Sequence, residues 1–144
     1  MENNRPGVGV SVQVFSKEKK NDILIGKRLN KTGFGMYSFP GGHVEFGESF
    51  IETAIREVKE ETNLDIENVE IVKIINCIDK KNNYHYIVPI IKGYSKDDKL
   101  LKNMEPNKCE NWEWYNWKDK INFPQPLFYP VFEFIQLYDN DYLL

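Results

Sequence analysis

The run from Gly33 to Val58 constrains this chain more than any other. Five glycines and Pro40 fall within residues 33–47, and straight after them the apolar residues begin to recur every three to four positions. Glycine reaches backbone angles closed to other residues and lets a ligand approach the main chain, so this density marks a loop suited to contact. Ile51, Ala54, Ile55 and Val58 then follow helical spacing, with Ser49 as N-cap and Glu52 three residues on to complete a capping box. The helix is predicted to end near Asn63, because asparagine tolerates the left-handed conformation that helix C-termini use. If the four apolar residues face the core, Glu57, Glu60 and Glu61 project from another side, Glu57 one turn before Glu61.

Stacking acid on acid costs a helix roughly 0.2–0.5 kcal/mol per pair. These acids also lie near the C-terminal end, where the macrodipole disfavours negative charge. A cation that compensates them is one reading; a solvated acidic face is the other. Clustered carboxylates are hard oxygen ligands of the kind that hold Mg²⁺ between protein and substrate phosphates.

The remaining pattern is mainly that of strands. Val8–Phe15 alternates, Lys17–Asp22 reads as a turn, and Ile23 to Arg28 completes an expected hairpin. Val69–Ile78 and Tyr84–Tyr94 read as two longer strands around an Asp79–Asn83 turn, and Glu110–Trp117 as a further strand. Pro130 suits the first turn of a final helix running to about Tyr138.

At 144 residues and 41% hydrophobic composition, one domain spanning 1–144 with a real core is expected. A net charge of −3 supplies no field to attract a nucleic-acid polymer. No apolar run reaches membrane-spanning length and Met1 to Pro6 does not resemble a signal sequence, so a soluble, cytoplasmic protein is expected. Cys77 and Cys109 lack zinc-ligand spacing and read as reduced thiols. Trp112, Trp114 and Trp117 read as core or dimer contacts.

The segment Gly42–Leu64 reads G-x5-E-x7-R-E-V-x-E-E-x-N-L. It closely resembles the Nudix box, departing only at Asn63, where the pattern has glycine. The resemblance extends through Gly7-Val8-Gly9-Val10, Gly26-Lys27-Arg28, Phe39–His43 and Asn103–Trp114 to a MutT-like subgroup. That subgroup includes a human thiopurine-nucleotide diphosphatase and plant Nudix hydrolase 1. It implies an α/β/α sandwich around a mixed sheet, a homodimer, and Mg²⁺- or Mn²⁺-dependent hydrolysis of a nucleoside triphosphate, such as an oxidised purine nucleotide, to monophosphate and diphosphate. A prenyl diphosphate substrate, or a noncatalytic nucleotide sensor, are the alternatives.

Carried over by position, Glu57 and Glu61 would bind metal with the Gly41 carbonyl, and Glu60 would be a further ligand or the general base. Arg56 would orient the acids, though a surface ion pair is open to it. Glu110 would be a distant metal ligand, with Glu105 as the nearby alternative. Arg28 would reach the phosphates, or be a solvated charge at a strand end. Gly42, His43, Phe39, Phe128 and Tyr129 would contact substrate, Tyr129 standing where the subgroup has a purine-stacking tryptophan. For His43 a structural hydrogen bond, and for each aromatic a place in the core, are the competing readings.

Overall fold

The computed structural model describes residues 4–142, with side chains described as far as Leu137. The expected domain limits, Met1 and Leu144, lie outside the described residues. Nine regular elements follow in order: β1 (Gly7–Phe15), β2 (Asp22–Arg28), β3 (Tyr37–Ser38), β4 (Gly41–His43), α1 (Phe50–Thr62), β5 (Ile66–Asp79), β6 (Tyr84–Ser95), β7 (Cys109–Asn116) and α2 (Tyr129–Tyr142). Short 3₁₀ turns at Lys80–Asn82, Asp98–Leu100 and Lys120–Asn122 punctuate the connections.

The strands form one mixed sheet, ordered β3-β2-β1-β6-β5, with β4 on β1 and β7 on β2. β1 and β6 run parallel, Gly7 opposite Tyr86 and Phe15 opposite Tyr94; the other pairings are antiparallel. The expected β1–β2 hairpin closes at Phe15 and Ile23 and then opens, because β4 takes the next stretch of β1 and β7 takes the length of β2. Strand alternation sends side chains to opposite faces. Val10, Val12, Val14 and Leu24 therefore pack beneath α1, with Ala54 and Val58. Ile23, Ile25, Val88 and Ile90 pack on the other face with Val131 and Phe134 of α2. This is the α/β/α sandwich expected.

Helix α1 begins as its sequence indicates. Ser49 accepts from the Glu52 amide, and the Glu52 side chain accepts from the Ser49 amide. It ends at Asn63, whose φ of 65° is left-handed. Its buried face differs from the expectation. Ala54 and Val58 are fully buried, but Ile55 is 42% exposed and Thr53 and Thr62 take its place inside. Thr53 donates to Glu48 and Ser49 and Thr62 to Val58, so both hydroxyls are satisfied in the core. The helix is rotated so that the row carrying Glu57 and Glu61 turns toward the sheet. α2 starts at Tyr129 with Pro130 in its first turn, and continues past Tyr138 to Tyr142.

Candidate active site

The glycine loop is partly strand: β4 lies against β1, with Ser11 opposite Gly41 and Gly9 opposite His43. That pairing lays the Gly41–Gly42 main chain beside α1. Gly41 donates its N–H to Glu61 Oε1 at 3.0 Å. A Cβ on Gly42 would overlap the Glu57 carboxylate where it stands, so the glycine lets that carboxylate lie against the main chain.

Arg56 binds several of the acids. Its guanidinium donates to Glu48 at 2.7 Å and 2.9 Å, to Glu57 at 2.6 Å, to Glu60 at 3.2 Å and to the His43 carbonyl at 3.0 Å. The paired bonds to Glu48 match a planar fork to a carboxylate. They pull the Glu48 carboxyl down to about 2. Glu48 also accepts from Thr53 and the Glu45 amide, which fixes it beneath the loop.

The acids facing inward behave differently. Desolvation pushes Glu61 well above the usual carboxylate range, against the Gly41 hydrogen bond, and the neighbouring charges of Glu57 and Glu105 add to it. Desolvation also raises Glu57 and outweighs its bond to Arg56. Burial is the dominant cause in both. As the side chains stand, no group of three or more His, Cys, Asp or Glu residues among the described residues is placed to hold a metal ion. Arg56 holds oxygens of Glu57 and Glu60, and the Gly41 amide holds one of Glu61.

These groups line a cleft of about 550 Å³ that also takes in Gly42, His43, Arg28, Phe39 and Phe128. Arg28 lies over the Phe128 ring at 3.9 Å, and its Nε donates to the Thr32 carbonyl at 3.0 Å. Burial lowers the Arg28 pKa. Phe39 reaches the cleft but is 3% exposed, packed near Trp117 in the α2-side core.

Two expected residues lie elsewhere. Glu110 does not line the cleft; it points outward from β7 to Lys27 at 3.6 Å, and the acid brought to the cleft is Glu105. Tyr129 does not line it either, because its ring packs edge-on to Tyr84 at 4.9 Å. In their place β6 supplies Tyr84, Tyr86 and Val88, one alternating face of a strand. That alternation is visible in the sequence; which sheet face borders the loop is not.

A NUDIX domain model matches residues 5–134. The chain belongs to the NUDIX family. This NUDIX chain is 30% identical over 105 residues to Nudix hydrolase 3 of Caenorhabditis elegans, covering 72% of this chain and 43% of that protein. It is 39% identical over 93 residues to an ADP-ribose pyrophosphatase of Methanocaldococcus jannaschii, covering 61% and 55%. It thus spans about half the length of these relatives. In fold it matches the MutT NUDIX hydrolase structure from Burkholderia pseudomallei, with a TM-score of 0.80 at 23% identity over 92% of this chain and 98% of that one.

Proposed function

We propose that this NUDIX chain is a divalent-metal-dependent pyrophosphohydrolase that splits a nucleoside triphosphate into the monophosphate and diphosphate. What carries this reading is the Glu57–Glu61 row, turned inward against the Gly41–Gly42 main chain, with Glu57 paired to Arg56 and Glu61 buried against the Gly41 amide. A buried carboxylate without a cation is costly. A divalent ion among hard oxygen donors relieves that cost, so the residues fit the metal.

Glu57, Glu61 and the Gly41 carbonyl would hold Mg²⁺ or Mn²⁺, with Glu60 as a further ligand or the general base and Glu105 as the further acid in place of Glu110. When bound, the metal supplies charge neutralisation on the phosphate oxygens and lowers the pKa of attacking water. The chain's own groups do the rest. Arg28 faces the cleft with a guanidinium suited to phosphate oxygens. As general base, Glu60, half exposed and paired with Arg56 at 3.2 Å, would accept the proton of the attacking water. Arg56, bonded to Glu48 and the His43 carbonyl, keeps the acid row in register with the loop.

A second reading, hydrolysis of a nucleoside diphosphate sugar, is supported by the name of the Methanocaldococcus jannaschii relative. Purified protein with Mg²⁺ is to be incubated with canonical dNTPs, 8-oxo-dGTP, ADP-ribose and a prenyl diphosphate, and the products separated. The proposal expects monophosphate and diphosphate from a triphosphate, abolished by EDTA. Turnover of ADP-ribose alone selects the second reading, and no metal-dependent turnover refutes both.

A further inference from the structure

The cleft contains an aromatic wall on β6 that the acid row does not use. Tyr84 and Tyr86 stand on the same face of β6 with ring centres 4.9 Å apart. Tyr86 lies 5.6 Å from the His43 ring, and its hydroxyl is 3.0 Å from His43 Nε2. Tyr84 meets Phe128 edge-on at 5.6 Å, and Arg28 covers Phe128. The wall therefore runs from the glycine loop to the arginine.

Exposure decides which rings a ligand can touch. Tyr84 and Phe128 are each 7% exposed and belong to the α2-side core. Tyr86 is partly exposed and His43 is exposed. Tyr86 is also fixed in place from several sides. Gly7, opposite it on β1, leaves room for the ring edge, where any Cβ would overlap it. Tyr84 packs on one side and His43 holds the hydroxyl. A rigid aromatic ring partly open to a cleft that also contains acids and an arginine suits a ligand with a planar ring at one end and phosphates at the other. Such a surface stacks bases with little sequence demand, because every base has a π-face.

We infer that Tyr86, seated over Gly7 and hydrogen-bonded to His43, is the platform on which the substrate's nucleobase stacks, which makes it a specificity-determining residue. This rests on the reading of the cleft as a nucleotide site. It places base recognition on β6 and the glycine loop, and not on Tyr129.

The test is binding, so that it does not depend on turnover. Wild type, Tyr86→Phe and Tyr86→Leu are titrated calorimetrically with the four ribonucleoside monophosphates and with inorganic pyrophosphate as a ringless control, all with Mg²⁺. Tyr86→Leu is expected to weaken the best-bound monophosphate about tenfold, and to leave pyrophosphate within about twofold, a difference within the scatter of the measurement. Tyr86→Phe keeps the ring and is expected to stay close to wild type. Gly7→Ala, which displaces the ring without altering it, is expected to follow Tyr86→Leu. Unchanged nucleotide affinity in Tyr86→Leu overturns the inference, as does equal weakening of nucleotide and pyrophosphate. Hydrolysis of a nucleotide by wild type with unchanged affinity in Tyr86→Leu sinks only the platform. Loss of nucleotide affinity in Tyr86→Leu without hydrolysis by wild type sinks only the enzymatic reading.

Discussion

Arg56 and Glu48 show how single residues carry this site. The guanidinium joins the Glu48 carboxylate beneath the loop to Glu57 and Glu60 on the helix and to the His43 carbonyl above. Sequence spacing places Arg56 beside acids on a helix, but the 13-residue reach back to His43 comes only from the fold. The pair has a pH signature. Hydrogen bonding to Arg56 lowers the Glu48 carboxyl from 4.5 to about 2, so its contribution is present above 4.5 and is lost as pH falls through about 2. Glu48→Gln is therefore expected to melt below wild type at neutral pH, with the gap closing on acidification through that window. Circular dichroism melts at several pH values check it; a constant gap would contradict the assignment. The sequence also left Glu105 and Glu110 both open as the distant acid, because a strand's register decides which side chain turns inward. β7 sends Glu110 out to Lys27, while Glu105 precedes the strand and lines the cleft.

At the scale of elements, helix α1 was legible at its ends and less so in its orientation. A cap is a local bargain between neighbouring residues, so Ser49, Glu52 and Asn63 announce it in sequence. Orientation is settled by the sheet. Apolar periodicity favours Ile55, yet the fold buries Thr53 and Thr62 with satisfied hydroxyls and leaves Ile55 42% exposed. The outcome turns Glu57 and Glu61 toward the glycine loop. Asn63 matters twice, through its positive φ and through its Nδ2–H donated to the Leu100 carbonyl at 2.9 Å. Left-handed backbone costs an ordinary L-residue roughly 1–2 kcal/mol. Asn63→Ala is thus expected to destabilise by at least about 1 kcal/mol, whereas Asn63→Gly regains backbone freedom while losing one exposed bond. Urea denaturation distinguishes them: alanine no worse than glycine would mean that the αL geometry is not what the position contributes.

The whole molecule explains why the strands were readable and their partners were not. Alternation along Val8–Phe15 and Tyr84–Tyr94 signals two strands, but nothing local says that they lie side by side and parallel, Gly7 against Tyr86. That pairing puts the β6 aromatics beside the glycine loop, so the aromatic face of the cleft was invisible in sequence while the acid row and its loop were plain. Likewise Tyr129 is open in sequence to a stacking or a core role until the fold packs it edge-on to Tyr84. In the function proposed above, the sandwich holds Glu61, with its neighbours, where a divalent cation would meet a phosphoanhydride. The most direct measurement is the Mg²⁺-dependent turnover of the best triphosphate by wild type and Glu61→Gln at matched circular dichroism. A fall of about a hundredfold or more, with the fold intact, is expected; turnover close to wild type would remove Glu61 from the metal site.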